Sequence, residues 1–313
     1  MRSSTNVPAR RTLATGLKYP EGPVAMPDGS VVLVEIAGGT LKRVWPDSKV
    51  ETVADVGGGP NGAAIGPDGR IYVANNGGVM WKPRGEQLRP AGNLPNPGSI
   101  QVVDPDSGQF ETLYARCGER EFRHCNDLVF DAHGGFWFTD TGKVSGRKQD
   151  RGSVFWAKAD GSEVREVMQG LMSPNGIGLS PDGRHVYVSE TTTARLWGWE
   201  ISAPGEVIKT RGPMPHGGTF LFGASVWQRF DSLAVSASGK ILVATLDNGG
   251  VTEIWPDGSD SCHYPFGTAY VNNVCFGGPD LRTLYVTQSG DGTLTALEWH
   301  EPGLRLNHQR LPK

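Results

Sequence analysis

Residues 175–183 read Asn-Gly-Ile-Gly-Leu-Ser-Pro-Asp-Gly and are followed by the apolar run Val186-Tyr187-Val188. The stretch begins with an acid or amide residue, which we call the opener. An opener, a small or apolar stretch, a turn eight residues after the opener and a short β-type run together predict an antiparallel hairpin. Six copies share this offset, at Glu21–Gly29, Asn61–Gly69, Asn126–Gly134, Asn175–Gly183, Asp231–Gly239 and Asn273–Leu281. Recurrence of one unit along the chain is typical of repeat architectures.

A second turn signal follows each copy and predicts a second hairpin in the same repeat. These turns centre on Trp45-Pro46-Asp47, Asp104–Gly108, Ala159-Asp160-Gly161, Ala203-Pro204-Gly205, Trp255–Gly258 and Glu301-Pro302-Gly303. Two hairpins give four strands, so six repeats predict an all-β, six-bladed β-propeller with four antiparallel strands per blade. We expect Thr12–Thr15 to add a strand to the last blade, which would close the circle and cover its edge.

No linker interrupts this pattern, so the chain is predicted to be a single domain over residues 1–313, with short tails at about 1–11 and 306–313. Two Gly-rich segments depart from the repeat. Asn76–Ser99 is too rich in Pro and Gly for a blade strand, and we expect an irregular surface loop over one mouth of the channel. Gly212–Trp227 is a second candidate lid. Tryptophans that recur near strand ends are expected to pack blade against blade.

Composition excludes several function classes. A net charge of −3 gives no electrostatic basis for binding nucleic acid or an anionic membrane. No apolar run reaches the roughly 18 residues of a membrane span, and Met1–Arg11 lacks the apolar core of a secretion signal. Four cysteines without metal-type spacing, Cys117, Cys125, Cys262 and Cys275, predict free thiols and a cytoplasmic location. The oligomeric state stays open.

The six openers carry the chemistry. If each begins the innermost strand of a blade, they converge on the channel axis as two carboxylates, Glu21 and Asp231, and four amides, Asn61, Asn126, Asn175 and Asn273. Hard oxygen ligands select Ca²⁺ first, with Mg²⁺, Mn²⁺ or Zn²⁺ as alternatives, in the central channel. The asparagines alone are also good turn formers. Two carboxylates on one axis, however, would repel each other without a cation.

Specific motifs accompany the ring. They are Tyr19-Pro20-Glu21-Gly22-Pro23, Asn126–Asp131 with Gly135–Asp140, Ser173-Pro174-Asn175-Gly176, and Gly277–Thr287. With these motifs the chain resembles the SMP-30/gluconolactonase/luciferin-regenerating-enzyme family from about Leu17 to Trp299. The resemblance implies one divalent metal held by Glu21, Asn175 and Asp231, with Asn126 contacting metal or substrate. It also implies hydrolysis of a lactone, with the metal polarising the carbonyl group and Asp231 acting as the general base.

One position departs from the family pattern. Relatives that hydrolyse sugar lactones often carry Arg two residues before the ring asparagine, where this chain has His124 beside Arg123. Strand alternation directs His124 toward the pocket and Arg123 away from it. This favours a substrate less polar or differently charged than a sugar-acid lactone. We expect His124, Asn126, Asp127, Asn61 and Asn273 to line the substrate pocket. Outside the repeats, His216 in the second candidate lid is a further candidate.

Two other functions fit the same sequence. Calcium propellers similar to this one hydrolyse phosphotriesters or organofluorophosphates, so that reaction is the alternative enzymatic hypothesis. A propeller that binds a protein partner at its rim and keeps the ion only for rigidity is the hypothesis from a different class.

Overall fold

The computed structural model describes residues 2–4, 8–85 and 87–312. Within those ranges the chain consists of strands, turns and loops, and no helix is long and apolar enough to cross a bilayer. Six antiparallel sheets of four consecutive or nearly consecutive strands follow one another along the chain. Each sheet packs its first strand against the first strand of the next. The six-bladed β-propeller predicted from the repeats is therefore confirmed.

Blades 1 to 3 are regular four-stranded meanders. Blade 1 contains Pro20–Ala25, Val31–Glu35, Thr40–Val44 and Val50–Asp55. Blade 2 contains Pro60–Ile65, Ile71–Asn75, Ser99–Val103 and Phe110–Tyr114. Blade 3 contains Cys125–Phe130, Gly135–Asp140, Gly152–Lys158 and Val164–Leu171.

Blades 4 and 5 carry a fifth strand, and blade 6 takes its fourth strand from the N-terminal part of the chain. Blade 4 contains Pro174–Leu179, His185–Glu190 and Arg195–Ala203, with Glu206–Ile208 and Thr219–Gly223 both paired to Arg195–Ala203. Blade 5 contains Arg229–Val235, Ile241–Leu246, Gly250–Ile254 and Ser261–Pro265, with Arg2–Ser3 added in parallel. Blade 6 contains Asn273–Gly277, Thr283–Gln288, Thr293–Glu298 and Arg10–Ala14. In the described part of the chain, three small hairpins lie outside the blades, at Val79–Arg84 with Gln87–Asn93, Arg116–Cys117 with Arg120–Glu121, and Val144–Ser145 with Lys148–Gln149.

The predicted closure of the ring by an N-terminal strand is confirmed, but the hairpin predicted at Glu301-Pro302-Gly303 is wrong. Arg10–Ala14 pairs antiparallel with Thr293–Glu298, which supplies the fourth strand of blade 6 from the N-terminal part of the chain. The predicted turn at Glu301-Pro302-Gly303 therefore does not begin an outer strand of blade 6. That edge is already occupied, so the chain instead crosses the lower mouth of the channel, at the ends of the innermost strands. Asn307 Nδ2 donates to the Phe130 carbonyl at 3.0 Å, and Gln309 Nε2 donates to the Phe276 carbonyl at 2.9 Å.

Neither predicted tail is a free extension where the structure describes it. Arg2 and Ser3 pair with Cys262 and His263 of blade 5, while Arg10 and Arg11 already belong to blade 6. Residues 1, 5–7 and 313 lie outside the described residues.

The innermost strands carry an irregularity that points extra side chains at the axis. In five of the six blades the register shifts at or beside the opener. In blade 3, Cys125 faces Asp140 and Leu128 faces Phe138, so Asn126 and Asp127 together oppose the single residue Thr139. This is the geometry of a β-bulge, which re-aims side chains and increases local twist.

Glycine after the opener lets neighbouring innermost strands approach closely. A Cβ atom on Gly62 would lie 2.5 Å from the Asn126 carbonyl oxygen, and one on Gly176 would lie 2.5 Å from the Leu233 amide nitrogen. Contacts that short are forbidden, so these positions need Gly to bring the openers together around the channel.

The core lies between blades, as the tryptophan pattern predicts. Trp137, Trp156, Trp197 and Trp199 pack in one buried cluster between blades 3 and 4. Full burial of a large aromatic side chain contributes roughly 2–3 kcal/mol. These layers hold the blades at fixed angles and so fix the openers.

Both Gly-rich segments contain strands that the sequence analysis missed. Asn76–Ser99 was expected to be irregular, but Val79–Arg84 and Gln87–Asn93 form a hairpin closed at Gly85, whose φ is +64°. We call residues 79–93 the lid hairpin. Gly212–Trp227 is not purely a loop either, because Thr219–Gly223 joins blade 4. In both places, pairing with a neighbouring strand overrides the low β-propensity of Gly and Pro.

Candidate functional site

The structure brings the six openers together. Each begins or nearly begins an innermost strand at the upper mouth, and each is at most 6% exposed. Consecutive innermost strands contact one another around the whole ring, including the contact between blades 6 and 1. This arrangement places the starts of the six innermost strands, and with them the six openers, around one channel.

Glu21 is held by two donors, neither of them cationic, and forms no ion pair with any residue that the structure describes. Its Oε2 atom accepts hydrogen bonds of 2.8 Å from the Gly22 amide and from Asn273 Nδ2. Burial, followed by the charge of Asp231, raises the pKa of Glu21 well above its ordinary value. Asn273 uses its remaining atom locally, since its Oδ1 accepts from the Val274 amide at 2.7 Å. Asn273, predicted to line the substrate pocket, is thus engaged in positioning Glu21.

Asp231, like Glu21, is a buried carboxylate close to other negatively charged side chains. Burial raises its pKa to about 8; Asn175 and Arg229 oppose the shift, and the charge of Asp127 adds to it. Arg229 offers little compensation, because its guanidinium group forms a two-pronged pair with Asp247 at 2.8 and 3.1 Å.

Asn272 is a functional neighbour that the repeat pattern did not reveal. Its Nδ2 atom donates to Asp231 Oδ2 at 3.0 Å, while its Oδ1 accepts from the Ser289 amide at 3.2 Å. Asn272 and Asn273 therefore each hold one of the two ring carboxylates. The repeat pattern selects one residue per repeat, the one eight positions before the turn, and therefore selects Asn273 but not Asn272. The two consecutive asparagines are the sequence signal that could have identified Asn272.

Two amides present oxygen to the channel. Asn175 donates from Nδ2 to Thr191 Oγ1 at 3.0 Å, and its Oδ1 lies 3.4 Å from Ser232 Oγ. Asn126 Oδ1 is buried and has no hydrogen-bond partner among the described residues. A buried acceptor left without a donor is costly, so this oxygen calls for a partner that the protein itself does not supply.

These observations fit a hard divalent cation. Two mutually repelling carboxylates, a carbonyl-type oxygen turned inward by Asn175 and an orphaned oxygen on Asn126 form an oxygen donor set of the type that Ca²⁺ takes. Glu21, Asn126, Asn175 and Asp231 would hold the ion, and its charge would reverse the upward pKa shifts.

A second, compact group of potential ligands lies elsewhere. The ligand atoms of Glu253, His300 and Glu301 lie within 4.8 Å of one another on the outer side of blades 5 and 6. Lys240 Nζ approaches both carboxylates, at 3.6 Å from Glu253 and 3.1 Å from Glu301. A lysine therefore already balances part of the charge of this group, which is separate from the channel.

Asp127 and Asn61 are buried members of the channel wall with different surroundings. Asp127 Oδ1 accepts from the Leu128 amide at 2.9 Å, and burial raises its pKa to about 7. It lines a narrow cavity of about 70 Å³ that Leu304 and Leu306 close from below. Asp127 therefore adds charge to the ring from the lower side. Asn61 lies on the innermost strand of blade 2 and is 6% exposed.

His124 is buried and Arg123 is exposed, and both precede the innermost strand Cys125–Phe130 rather than belonging to it. Arg123 reaches outward to Asp150 at 2.9 Å, whereas His124 is buried with its Nδ1 atom 2.9 Å from Thr141 Oγ1. His124 Nε2 has no partner in the described part of the chain. Burial and the nearby Lys143 lower the pKa of His124 to about 4, so the imidazole is neutral at physiological pH.

The lid hairpin packs over the upper mouth. Trp81 of the lid hairpin packs on Tyr19 with ring centroids 4.8 Å apart, and the Arg89 guanidinium lies 3.8 Å above the ring of Tyr270. Lys143 Nζ donates to the Leu94 carbonyl at 2.6 Å and also to the Asn96 carbonyl, which fastens this cover to blade 3. His216, the second histidine candidate, lies elsewhere, buried against Trp197 and Trp199.

A larger cavity of about 440 Å³ opens between blades 3 and 4 on the side of the C-terminal segment. Its lining contains none of the six openers, so its volume is unrelated to the ring.

The four cysteines are unpaired, and burial raises the pKa of the Cys125 and Cys275 thiols, so neither is an activated nucleophile.

Six blades around a channel ringed by acid and amide oxygens define this protein as a six-bladed propeller with a candidate cation site on its axis. The chain belongs to the SMP-30/gluconolactonase/LRE-like family, whose sequence profile matches residues 19–290.

Named relatives include lactonases. Lactonase drp35 of Staphylococcus haemolyticus is 29% identical over 234 residues, which cover 74% of this chain and 64% of the relative, so the match spans less than two thirds of that protein. Pentonolactonase XacC of Haloferax volcanii is 27% identical over 93% of this chain and 89% of its own length. Diisopropyl-fluorophosphatase of Loligo vulgaris is 29% identical over 65% of this chain and 66% of its own length.

Solved structures support the fold. Regucalcin of Agrobacterium tumefaciens, a calcium-binding protein, superposes with a TM-score of 0.72 at 19% identity, covering 96% of this chain and 98% of that chain. An identity this low bears on the fold alone.

Proposed function

We propose that this protein hydrolyses a small lactone with the help of a divalent cation, Ca²⁺ being the favoured ion. One observation carries the proposal: Glu21 and Asp231 are buried together, neither forms an ion pair with a cation among the described residues, and the orphaned oxygen of Asn126 belongs to the same ring of openers. The names of two relatives, a lactonase and a pentonolactonase, support the reaction class. When bound, the cation would supply the positive charge that polarises the lactone carbonyl group.

The chain's own residues would move the proton. Asp231 accepts the proton of the attacking water and returns it to the ring oxygen as the carbon–oxygen bond breaks. Asn272 orients the Asp231 carboxylate through its 3.0 Å hydrogen bond. Glu21, held by Gly22 and Asn273, keeps the second negative charge fixed on blade 1, which only blade 6 separates from the blade of Asp231.

His124 would recognise the substrate as a neutral group. Thr141 fixes its Nδ1 side and leaves the buried Nε2 atom unpartnered. A neutral imidazole suits a hydroxyl or carbonyl group of the substrate better than an anionic one. The lid hairpin and the Lys143 contacts would exclude bulk water from above.

The deciding experiment is hydrolysis of a lactone panel followed by proton release. The protein is stripped with a chelator and then reconstituted separately with Ca²⁺, Mg²⁺, Mn²⁺ and Zn²⁺. We expect turnover of at least one lactone that depends on the added ion and is lost again on chelation. A panel without turnover under any ion would overturn the proposal.

The fluorophosphatase relative gives the alternative reaction a specific basis. Diisopropyl fluorophosphate and a phosphotriester are therefore assayed in parallel, under the same ions. Turnover of these alone would assign the phosphotriesterase activity instead. Ion-dependent thermal stability without turnover of either substrate class would assign a binding module with a structural ion.

A further inference from the structure

Asn76 is a buried polar residue that the proposed reaction does not use. It follows the second strand of blade 2 and is fully buried. Its Oδ1 atom accepts from the Gly78 amide at 2.8 Å, which fixes the orientation of the side-chain amide group. Its Nδ2 atom has no hydrogen-bond partner among the described residues. A buried donor without an acceptor is costly, so this nitrogen calls for a partner that the protein itself does not supply.

Hydrogen bonds place Asn76 at the start of the innermost strand of blade 2. The Asn76 backbone amide donates to the Gly59 carbonyl at 2.8 Å, and Gly59 lies two residues before the opener Asn61. A Cβ atom on Gly59 would lie 2.9 Å from Cγ and 3.1 Å from Nδ2 of Asn76, so the amide fills the place of the side chain that Gly59 lacks. Asn96, just after the lid hairpin, donates to the Gly77 carbonyl at 3.2 Å. The Asn76 amide is therefore buried beneath the cover of the upper mouth, which a ligand has to pass.

Other blades close the equivalent position within the protein. In blades 3 and 5, the side chain two residues before the opener contacts the residue that follows the second strand. The two pairs are His124 with Thr141 at 2.9 Å and Arg229 with Asp247 at 2.8 Å. In blade 2, Gly59 offers no such side chain to Asn76. The missing partner explains why Nδ2 is unpaired and leaves this donor to a ligand.

His124 of blade 3 and Asn76 of blade 2 are neighbours across Gly98. A Cβ atom on Gly98 would lie 3.1 Å from the Asn75 carbonyl oxygen and 2.9 Å from the Cys125 amide nitrogen. These two groups belong to the peptide bonds that enter Asn76 and leave His124. The two side chains therefore start from peptide bonds on either side of one glycine.

His124 presents the atom that complements the Asn76 donor. Thr141 Oγ1 donates to the Gly142 carbonyl at 3.1 Å, so it accepts from the Nδ1–H group of His124. The Nε2 atom of His124 is then an acceptor, and it has no partner in the described part of the chain. A hydroxyl group accepts one hydrogen bond and donates another, so one hydroxyl satisfies both unpaired atoms.

We propose that Asn76 is a substrate-binding residue whose Nδ2 atom donates to a free hydroxyl group of the bound lactone, while that hydroxyl donates to His124 Nε2. This inference rests on the proposed lactone hydrolysis. It assigns the recognition of the substrate to blades 2 and 3 and gives the substrate a hydroxyl group in addition to its ring oxygen. Asn76 itself takes no part in proton transfer.

The test compares lactones that differ by one hydroxyl group, in the Ca²⁺-loaded protein. The substrates are γ-butyrolactone and its α-hydroxy and β-hydroxy derivatives, and the readout is the ratio of kcat/KM with and without the hydroxyl. This ratio does not depend on the fraction of folded protein. Asn76→Leu keeps the size of the side chain and removes the donor, so the preference for at least one hydroxylactone should fall about tenfold from its wild-type value. Asn96→Leu is the matched control and should keep the wild-type ratio, because Asn96 Nδ2 already has a protein acceptor.

A second variant separates recognition from the local turn. Asn76→Ser keeps an oxygen for the Gly78 amide, in the manner of a serine turn, but lacks Nδ2. It should therefore lose the preference for the hydroxylactone as Asn76→Leu does. A wild-type ratio in either variant would overturn the proposal, as would a wild-type protein that prefers neither hydroxylactone.

Calorimetry gives a readout independent of turnover. It compares 2,4-dihydroxybutyrate and 3,4-dihydroxybutyrate, the products of the hydroxylactones, with 4-hydroxybutyrate. The wild-type protein should bind at least one dihydroxy acid more tightly, and Asn76→Leu should lose that difference while keeping the wild-type Ca²⁺ affinity. Equal binding of all three acids by the wild type would overturn the role of Asn76. Absence of turnover on every lactone would overturn the proposed hydrolysis, while the binding comparison would still decide whether Asn76 recognises the hydroxyl.

Discussion

The side-chain amide of Asn273 donates a 2.8 Å hydrogen bond to Glu21 Oε2, which joins the innermost strand of the last blade to that of the first. The neighbouring Asn272 makes the equivalent bond to Asp231. Two consecutive asparagines on blade 6 therefore orient the two ring carboxylates. Both contacts are buried, so they act in a low-dielectric environment where a hydrogen bond to a charged group is strong.

Asn273→Ala should weaken cation binding without removing any proposed ligand. Glu21 would lose the donor that fixes its orientation, and loss of such a supporting contact typically costs 10–100-fold in metal affinity, so we expect an effect of about that size. Calcium titration followed by calorimetry measures it. Asn307→Ala is the matched control, because that amide also spans the channel region but donates to the Phe130 carbonyl at the lower mouth. Equal calcium affinity in Asn273→Ala and the wild type would contradict the positioning role.

Asp231→Asn separates the charge of this side chain from its shape. The amide is isosteric but cannot accept a proton at neutral pH, so lactone turnover should fall by about 10²–10⁴-fold. Calcium affinity should also fall, because the site loses one of its two formal charges. Asp150→Asn is the control, since that carboxylate lies near the upper mouth in an exposed pair with Arg123. Substantial turnover by Asp231→Asn with the ion still bound would exclude Asp231 as the proton carrier.

The repeat pattern predicted the openers because every blade uses the same distance from the innermost strand's start to its turn. The repeat pattern did not predict which polar side chains form hydrogen bonds with one another across the channel. The pairing of Asn272 with Asp231 depends on how blade 6 packs on blade 5, and the joint exposure of Asn126 and Asp127 to the channel depends on a β-bulge. Alternation along a regular strand cannot reveal a bulge, and a hairpin such as residues 79–93 is stabilised by contacts with other blades.

The metal-free protein should become less stable as the pH rises from about 7 to 8, where the histidines of the unfolded chain are already largely neutral and the two buried carboxyl groups still titrate. The pKa values of Asp127 and Asp231 are raised in the folded state to about 7 and about 8. The folded state therefore keeps protons that the unfolded state releases near pH 4, and stability falls as pH rises through this window. Melting temperatures of chelator-treated protein measured across the window test this directly. A melting temperature that rises over this range would contradict the buried, uncompensated charge.

Calcium should reverse that trend and release protons as it binds. Binding at pH 6 to 7 displaces the protons that the ring carboxylates retain, so the apparent affinity should increase with pH. Calorimetry in buffers of different ionisation enthalpy counts the protons released. In Asp231→Asn the count should be lower than in the wild type, and an unchanged count would place the displaced protons elsewhere.

His124 should leave no inflection near pH 6.5 in the pH profile of turnover. Its pKa is lowered to about 4 by burial and by Lys143, so the imidazole stays neutral between pH 5 and 8. Its stabilising effect is present above the unfolded pKa of about 6.5 and is lost as pH falls toward 4, because the buried ring must then take up a charge. His124→Gln keeps a neutral hydrogen-bonding group, so we expect KM to change while the shape of the profile between pH 5 and 8 is retained. Gln149→Ala is a control at the same mouth, since that exposed side chain donates hydrogen bonds to the rim residues Ser173 and Thr192. Loss of a limb of the profile in His124→Gln, with the control unchanged, would instead make His124 a proton-transferring group.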